Sequence, residues 1–230
     1  MNAKKVAVCA VSVALLVALQ FPFSMVPGVE LVTVLLLCFC YAFGVFMGLI
    51  TATSFSLLRC IIFGFDPSVV LLYLVYYNLF AVLFGILGKK TIPPWLCFVI
   101  FSIVAAVSAY FAVVGLPISI LYQMSVTIML WVAFAISVCM IIAYAVLLII
   151  NKGKTGRRIA SVTAIAAVCT ICFTLLDDVI TPLMYGYTFN AAMGYFVRSL
   201  YTMVLQTLCT IISVALLFQP LVTVFKKVTV

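Results

Sequence analysis

Long apolar runs separated by proline, glycine or charged residues dominate the chain. The runs cover residues 6–25, 30–64, 68–88, 95–114, 118–150, 158–180 and 193–219. Most of them reach the length of about 20 apolar residues that a helix needs to cross a bilayer. The pattern predicts an all-α fold, a polytopic integral membrane helix bundle that forms a single transmembrane domain over residues 1–230.

The run at 30–64 decides the helix count. As one helix, its 35 residues would extend about 52 Å, against a hydrocarbon core of about 30 Å. We therefore expect the chain to turn back near Gly44 to Gly48, which gives eight transmembrane helices.

Basic residues support this count. They form four clusters, at Lys4–Lys5, Lys89–Lys90, Lys152–Arg158 and Lys226–Lys227. Because basic loops remain on the cytoplasmic side of a membrane, eight helices with both termini in the cytoplasm place all four clusters correctly. Lys4–Lys5 before an apolar stretch also resembles a signal peptide. Removing that stretch, however, would no longer leave all four basic clusters on the cytoplasmic side.

Composition excludes an ordinary soluble domain. Hydrophobic residues make up 69% of the chain and charged residues 7%, whereas soluble domains are about half apolar and a quarter charged. We expect a multi-pass protein of a bacterial plasma membrane, with the lipid bilayer as its surroundings and no nucleic-acid partner despite a net charge of +8. The chain has no histidine and shows no nucleophile–base pairing, so we expect no enzyme, no catalytic residue, no metal and no cofactor.

Charged residues outside the basic clusters fall on the predicted outer side. The acidic ones are Glu30, Asp66, Asp177 and Asp178, and the basic ones are Arg59 and Arg198. Ionised residues within a span are costly and usually face the bundle interior or a wet cavity. Each arginine therefore either lines a cavity open to the outside or extends to the outer headgroups.

Two polar faces accompany these charges. One contains Tyr195, Ser199, Thr202, Gln206, Thr210 and Ser213, and the other contains Thr163, Thr170, Thr174 and Thr181. For the inner half of these faces we expect hydrogen bonds between helices, and for the outer third a ligand pocket. An interfacial aromatic belt accounts for the tyrosines at helix ends, among them Tyr73, Tyr76 and Tyr77. The candidate substrate-binding residues are Arg198, Asp177, Asp178, Asn190, Tyr195, Thr202, Gln206, Glu30, Arg59 and Asn78.

The first apolar run has a ladder of small residues at Ala7, Ala10, Ala14 and Ala18. Such ladders let another helix approach closely. The ladder is an internal packing face if the bundle covers it, and a docking surface for a partner membrane protein if it is exposed.

Several of these features together resemble the substrate-binding S component of energy-coupling factor (ECF) vitamin transporters. They are the amino-terminal basic pair, the alanine ladder, the segment Val26–Thr33, the Gly44/Gly48 turn, Leu176–Asp178, Gly186, Tyr195–Phe196, Gln206 and Gln219–Leu221. The resemblance covers residues 1–90 and 157–227. S components have six helices, so residues 91–156 form an additional helical hairpin, or the true count is six.

The resemblance implies a subunit that captures a vitamin or related micronutrient from outside. It would dock through the alanine ladder onto a transmembrane coupling (T) component driven by two cytoplasmic ATPases, and the loop from Pro27 to Glu30 would be its outer gate. The alternative is a stand-alone facilitator or ion-coupled carrier. Ion coupling normally needs carboxylates near the midplane, where we expect none.

Overall fold

The structure, a computed structural model, describes residues 2–23, 28, 31–89, 94–115, 120–150 and 153–228. Within these residues it is all-helical. The helices are α1 (Ala3–Phe23), α2 (Val32–Phe43), α3 (Val45–Phe63), α4 (Pro67–Leu87), α5 (Pro94–Val114), α6 (Ile120–Ile150), α7 (Lys154–Met184) and α8 (Phe189–Val228). Five of them, α1, α3, α4, α7 and α8, are long and apolar enough to cross a membrane. The prediction of an all-α membrane bundle is thereby confirmed in its general form.

Helix α2 lies at the centre of the bundle. It packs against α1, α3, α4 and α8, and ten of its 12 residues are buried. A helix that is apolar on all sides can be accommodated only inside a protein or a membrane. At 1.5 Å per residue α2 is about 18 Å long, well short of the hydrocarbon core. Among the described residues five helices qualify as spans, so the predicted count of eight stays a prediction.

The chain reverses direction between α2 and α3. Gly44, with φ of 86°, ends one helix and precedes the next, and its N–H donates to the Cys40 carbonyl over 2.8 Å. A Cβ on Gly48 would lie 2.9 Å from Cys40 Sγ, although eight residues of continuous helix would separate the two by about 12 Å. The predicted turn near Gly44 to Gly48 is confirmed.

Basic side chains gather at one end of the bundle. Lys4, Lys5 and Val228 line the same cavity, and Lys89 Cε lies 3.7 Å from the position that a Cβ on Gly44 would occupy. We call this the basic end. Helices α7 and α8 are antiparallel, with Thr170 opposite Thr210 and Asp178 opposite Ser199. Because of this orientation, the start of α7, with Arg157 and Arg158, also lies at the basic end.

The opposite end, which we call the acidic end, holds the carboxylates of the described residues. Tyr185, just after α7, donates to Asp66, just before α4, over 2.9 Å. Asp177 and Asp178 lie two turns from the end of α7. Lys90, Lys152 and Glu30 lie outside the described residues.

Helices α5 and α6 lie within the segment at 91–156 and pack on each other as a pair. They pack mainly on each other, and otherwise on α7 and α8. Phe98 and Tyr144 make an edge-to-face contact at 5.0 Å, and the Tyr144 hydroxyl hydrogen-bonds the Ser161 hydroxyl of α7 over 2.8 Å. The pair thus lies at the side of the bundle formed by α7 and α8.

Gly28 approaches α8 so closely that no larger residue fits. Its φ is +80°, and a Cβ there would lie 2.7 Å from Leu205 Cβ. Gly186 also has a positive φ, +61°, but nothing lies within 4 Å of its added Cβ. Comparing the same substitution at Gly28 and Gly186 therefore distinguishes the effect of backbone strain from that of steric collision.

We predict that Gly28→Ala lowers the thermal stability of the detergent-solubilised protein more than Gly186→Ala does. Both changes carry the left-handed backbone cost of about 1–2 kcal/mol, but only Gly28→Ala also forces α8 to move. Equal losses of stability in the two variants would show that the close approach of residue 28 to α8 is wrong.

Candidate functional site

The two predicted polar faces, on α7 and α8, meet each other in the fold. In the inner half, Thr170 and Thr210 share a hydrogen bond of 3.0 Å. One turn nearer the acidic end, Thr174 Oγ1 donates to Gln206 Oε1 over 3.5 Å. The hydrogen bonding between helices expected for the inner half is present at Thr170 and Thr210, whereas Thr163 Oγ1 of the same predicted face is buried without a partner.

The adjacent aspartates of α7 have different partners. Asp177 accepts hydrogen bonds from the hydroxyls of Tyr195 and Thr181, each over 2.8 Å. Asp178 Oδ2 accepts one from the Ser199 hydroxyl over 2.7 Å, whereas its Oδ1 is buried and has no partner. A buried acceptor without a donor costs about 1–3 kcal/mol, more for a charged group. Asp178 Oδ1 is therefore the acceptor at the acidic end that is best placed to receive a donor from a ligand.

A hydrogen-bonded network connects the start of α4 to the end of α7 at the acidic end. Asp66 is the N-cap of α4, and its Oδ1 accepts hydrogen bonds from the backbone N–H and hydroxyl of Ser68 and from Tyr185. Thr181 in turn donates to the Ser68 hydroxyl over 3.4 Å and to Asp177. The hydrogen bonds from Ser68 and then Tyr185 hold the pKa of Asp66 below its ordinary value, and the bond to Asp66 raises the pKa of Tyr185.

Arg59 on α3 lies over aromatic rings. Its guanidinium carbon is 4.5 Å from the centroid of the Tyr73 ring and 5.7 Å from that of Phe63, which is cation–π geometry. Its Nε is buried without a hydrogen-bond acceptor. Arg59 thus packs on the rings of Tyr73 and Phe63 with its Nε enclosed, and its role in a cavity stays a prediction.

The tyrosines of α4 are buried in the bundle. Tyr73, Tyr76 and Tyr77 are 7%, 6% and 1% exposed, and their rings contact Phe173 of α7 at 5.7, 4.8 and 6.1 Å between centroids. The aromatic-belt interpretation is wrong for these three, because residues of a belt lie at the membrane surface. This group, which we call the aromatic cluster, lies between Arg59 and the helix that holds Asp177 and Asp178.

The remaining candidate residues are exposed, half-buried or bonded to other partners. Arg198 and Asn190 are exposed on α8, and Thr202 is half-buried, with its carbonyl 3.4 Å from the position of a Cβ on Gly28. Asn78 accepts from Thr53 of α3 over 2.9 Å and donates to the Leu74 carbonyl. Glu30 lies outside the described residues.

Sequence reasoning missed Gln20 of α1. Its Nε2 lies 3.4 Å from the Tyr73 hydroxyl, and its Oε1 is buried without a partner. The available signal was a single amide in the apolar second half of α1, which contacts the same tyrosine as Arg59. Gln20 and Arg59 thus bring two polar groups with unused hydrogen-bonding capacity to one tyrosine.

The alanine ladder of α1 faces away from the bundle. Ala7, Ala10, Ala14 and Ala18 are all exposed, whereas the opposite face of the helix buries Cys9, Ser12, Val13 and Leu16. Large apolar side chains beside the ladder are exposed too, with Val6 at 49%, Val11 at 60% and Leu15 at 47%. Of the two interpretations that the sequence left open, internal packing within this chain is wrong.

Comparisons with known proteins returned no match. No protein-family model matches the chain, and neither a curated protein nor a solved structure does.

We predict that Asp66→Ala destabilises the protein by about 1 kcal/mol, because α4 loses its N-cap, whereas Asn, also a good N-cap residue, retains most of the stability. A lowered folded pKa means that ionised Asp66 stabilises the fold above the ordinary carboxyl pKa of about 3.9. That contribution disappears as the pH falls through the lowered value.

The wild type should therefore lose more thermal stability between pH 6 and pH 3 than Asp66→Asn does, measured by thermal unfolding in detergent. An identical acid-induced loss in both proteins would contradict a stabilising, ionised Asp66.

Proposed function

We propose that the protein is the substrate-binding subunit of an ECF-type importer in a bacterial plasma membrane. On this proposal it crosses the membrane eight times, with the basic end and both termini in the cytoplasm. It captures a vitamin or related micronutrient at the acidic end and delivers it through a T component and two ATPases. It is a transport subunit without an ATPase of its own.

One observation carries the proposal: the bundle leaves the alanine ladder of α1 uncovered. A helix whose inner face is buried and whose outer face has small residues at three- and four-residue spacing is suited to close contact with another membrane helix. Helices that face only lipid have no need of such a ladder, since lipid tails adapt to any apolar surface. A T component is the partner that the proposed family would supply.

The acidic end supports the capture of a small solute. Asp178 offers a buried acceptor with no partner, and Arg59 offers a buried donor with no partner. The aromatic cluster of α4 lies between α3 and α7, the helices that hold the two residues. A ligand with an anionic or carbonyl group for Arg59 and an amine, amide or hydroxyl donor for Asp178 would satisfy both groups. Many vitamins have this chemistry.

A second candidate function, an ion-coupled carrier, is favoured by the same carboxylate. Asp178 lies inside the candidate span of α7 rather than in a loop, and a partly unpaired carboxylate there is suited to binding a proton or sodium ion. Such a carrier would need neither ATPases nor a docking surface. The two functions differ in what the isolated chain does in a membrane.

Binding and transport assays together test the proposal. We expect the purified protein to retain one member of a vitamin panel with an affinity in the nanomolar range in equilibrium dialysis. Proteoliposomes that contain only this protein should show no net uptake of that vitamin, with or without an ion gradient. Gradient-driven uptake by this protein alone would instead establish the carrier.

Matched variants separate the pocket from the docking face. We predict that Asp178→Asn weakens retention of the bound vitamin at least tenfold and leaves co-purification of the T component from solubilised membranes unchanged. Ala14→Leu should do the reverse, because a larger side chain holds the partner helix away.

The control for the docking variant is Ala215→Leu, the same substitution at an exposed position of α8. It should alter neither property. Loss of both properties in either test variant, or loss of partner co-purification in the control, would contradict the separation of the two surfaces.

A further inference from the structure

A cavity at the basic end is not used by the proposed function. Its volume is about 190 Å³, and it lies between the start of α1, the turn from α2 to α3 and the last turn of α8. One water molecule takes about 30 Å³ of liquid volume, so the space can hold a group several times larger than water.

The walls of the cavity are amphipathic. Lys4 and Lys5 supply two exposed ammonium groups, and the remaining lining is apolar. The apolar residues are Val8, Ala42, Phe43, Met47 and Val228. A free inorganic anion would use only the two lysines, whereas a molecule with an anionic head and a hydrocarbon tail would use the whole surface.

No described carboxylate neutralises this charge. Asp66, Asp177 and Asp178 belong to the acidic end, and the first turn of α1 contains no acidic residue. The amino-terminal end of a helix has a partial positive charge of its own, which adds to that of Lys4 and Lys5.

The cavity also lies at the depth of lipid headgroups. Helix α1 has 21 residues and is therefore about 31 Å long, the thickness of the hydrocarbon core. Its first turn, with both lysines, falls where the phosphates of a leaflet lie. Basic pockets between membrane helices are known recognition sites for anionic headgroups.

We propose that this cavity binds one acidic phospholipid, with its phosphate between Lys4 and Lys5 and the start of an acyl chain against Val8, Phe43 and Met47. The site is independent of the vitamin pocket, which lies at the other end of the bundle. Bound lipid would connect α1 to α2, α3 and the end of α8 at the basic end.

Native mass spectrometry of the delipidated protein tests the proposal. After addition of dioleoyl phosphatidylglycerol, we expect one retained lipid per protein, with at least tenfold lower occupancy for phosphatidylcholine of the same acyl chains. Lys4→Gln/Lys5→Gln should lower the affinity for phosphatidylglycerol at least tenfold. Ala42→Phe, which fills the cavity and keeps both charges, should lower it too.

The matched control is Lys89→Gln/Lys227→Gln, which removes two positive charges from the same end without changing a residue of the cavity lining. It should change the affinity less than twofold. An equal loss in the control would show diffuse attraction and overturn the site. Displacement of the lipid by inorganic phosphate at equal concentration, or undiminished binding in Ala42→Phe, would show an anion site without a role for the acyl chain and would overturn the lipid assignment.

Discussion

The cost of placing an ionised side chain in hydrocarbon governs the arrangement of this protein. At about 2.5–3.5 kcal/mol for each such residue at the centre of a span, 12 basic and 4 acidic residues must lie at helix ends or inside the bundle. The described lysines collect at the basic end, and the described aspartates lie at or near the other. This segregation sets the direction of each helix, because a reversed helix would carry a charged end to the wrong side. It also divides the molecule into a basic end and an acidic end.

The ionised groups that do enter the bundle show how the interior is organised. Asp177 is satisfied by Tyr195 and Thr181, so it belongs to the hydrogen bonding that joins α7 to α8. Asp178 and Arg59 keep buried atoms without partners, and the aromatic cluster of α4 and Phe173 lies between their helices. A buried polar atom without a partner is costly, and the proposed function assigns these two residues to the capture of a vitamin-like solute.

Much of the fold follows from local sequence, and much of the site does not. A run of 35 apolar residues is too long for one span, so the turn at Gly44 could be predicted from length alone. The polar faces of α7 and α8 could be predicted from helical periodicity, because residues three or four positions apart lie on one side of a helix. Thr170 belongs to the face on α7, and Thr210 belongs to the face on α8. Burial of Tyr73, Tyr76 and Tyr77 depended on which helices enclose α4, which no local pattern encodes. Gln20 was missed for the same reason, because its partner Tyr73 is 53 residues away, and the exposure of the alanine ladder became visible only once the other helices were placed.

In the proposed function the acidic end faces outside and the basic end faces the cytoplasm. Single cysteines introduced at Tyr187 and Lys227, both exposed, in a background without native cysteines test this orientation. A membrane-impermeant thiol reagent added to intact cells should label residue 187 and leave residue 227 unlabelled until the membrane is permeabilised. Labelling of residue 227 alone in intact cells would mean that the aspartates face the cytoplasm, and would contradict capture of a solute from outside.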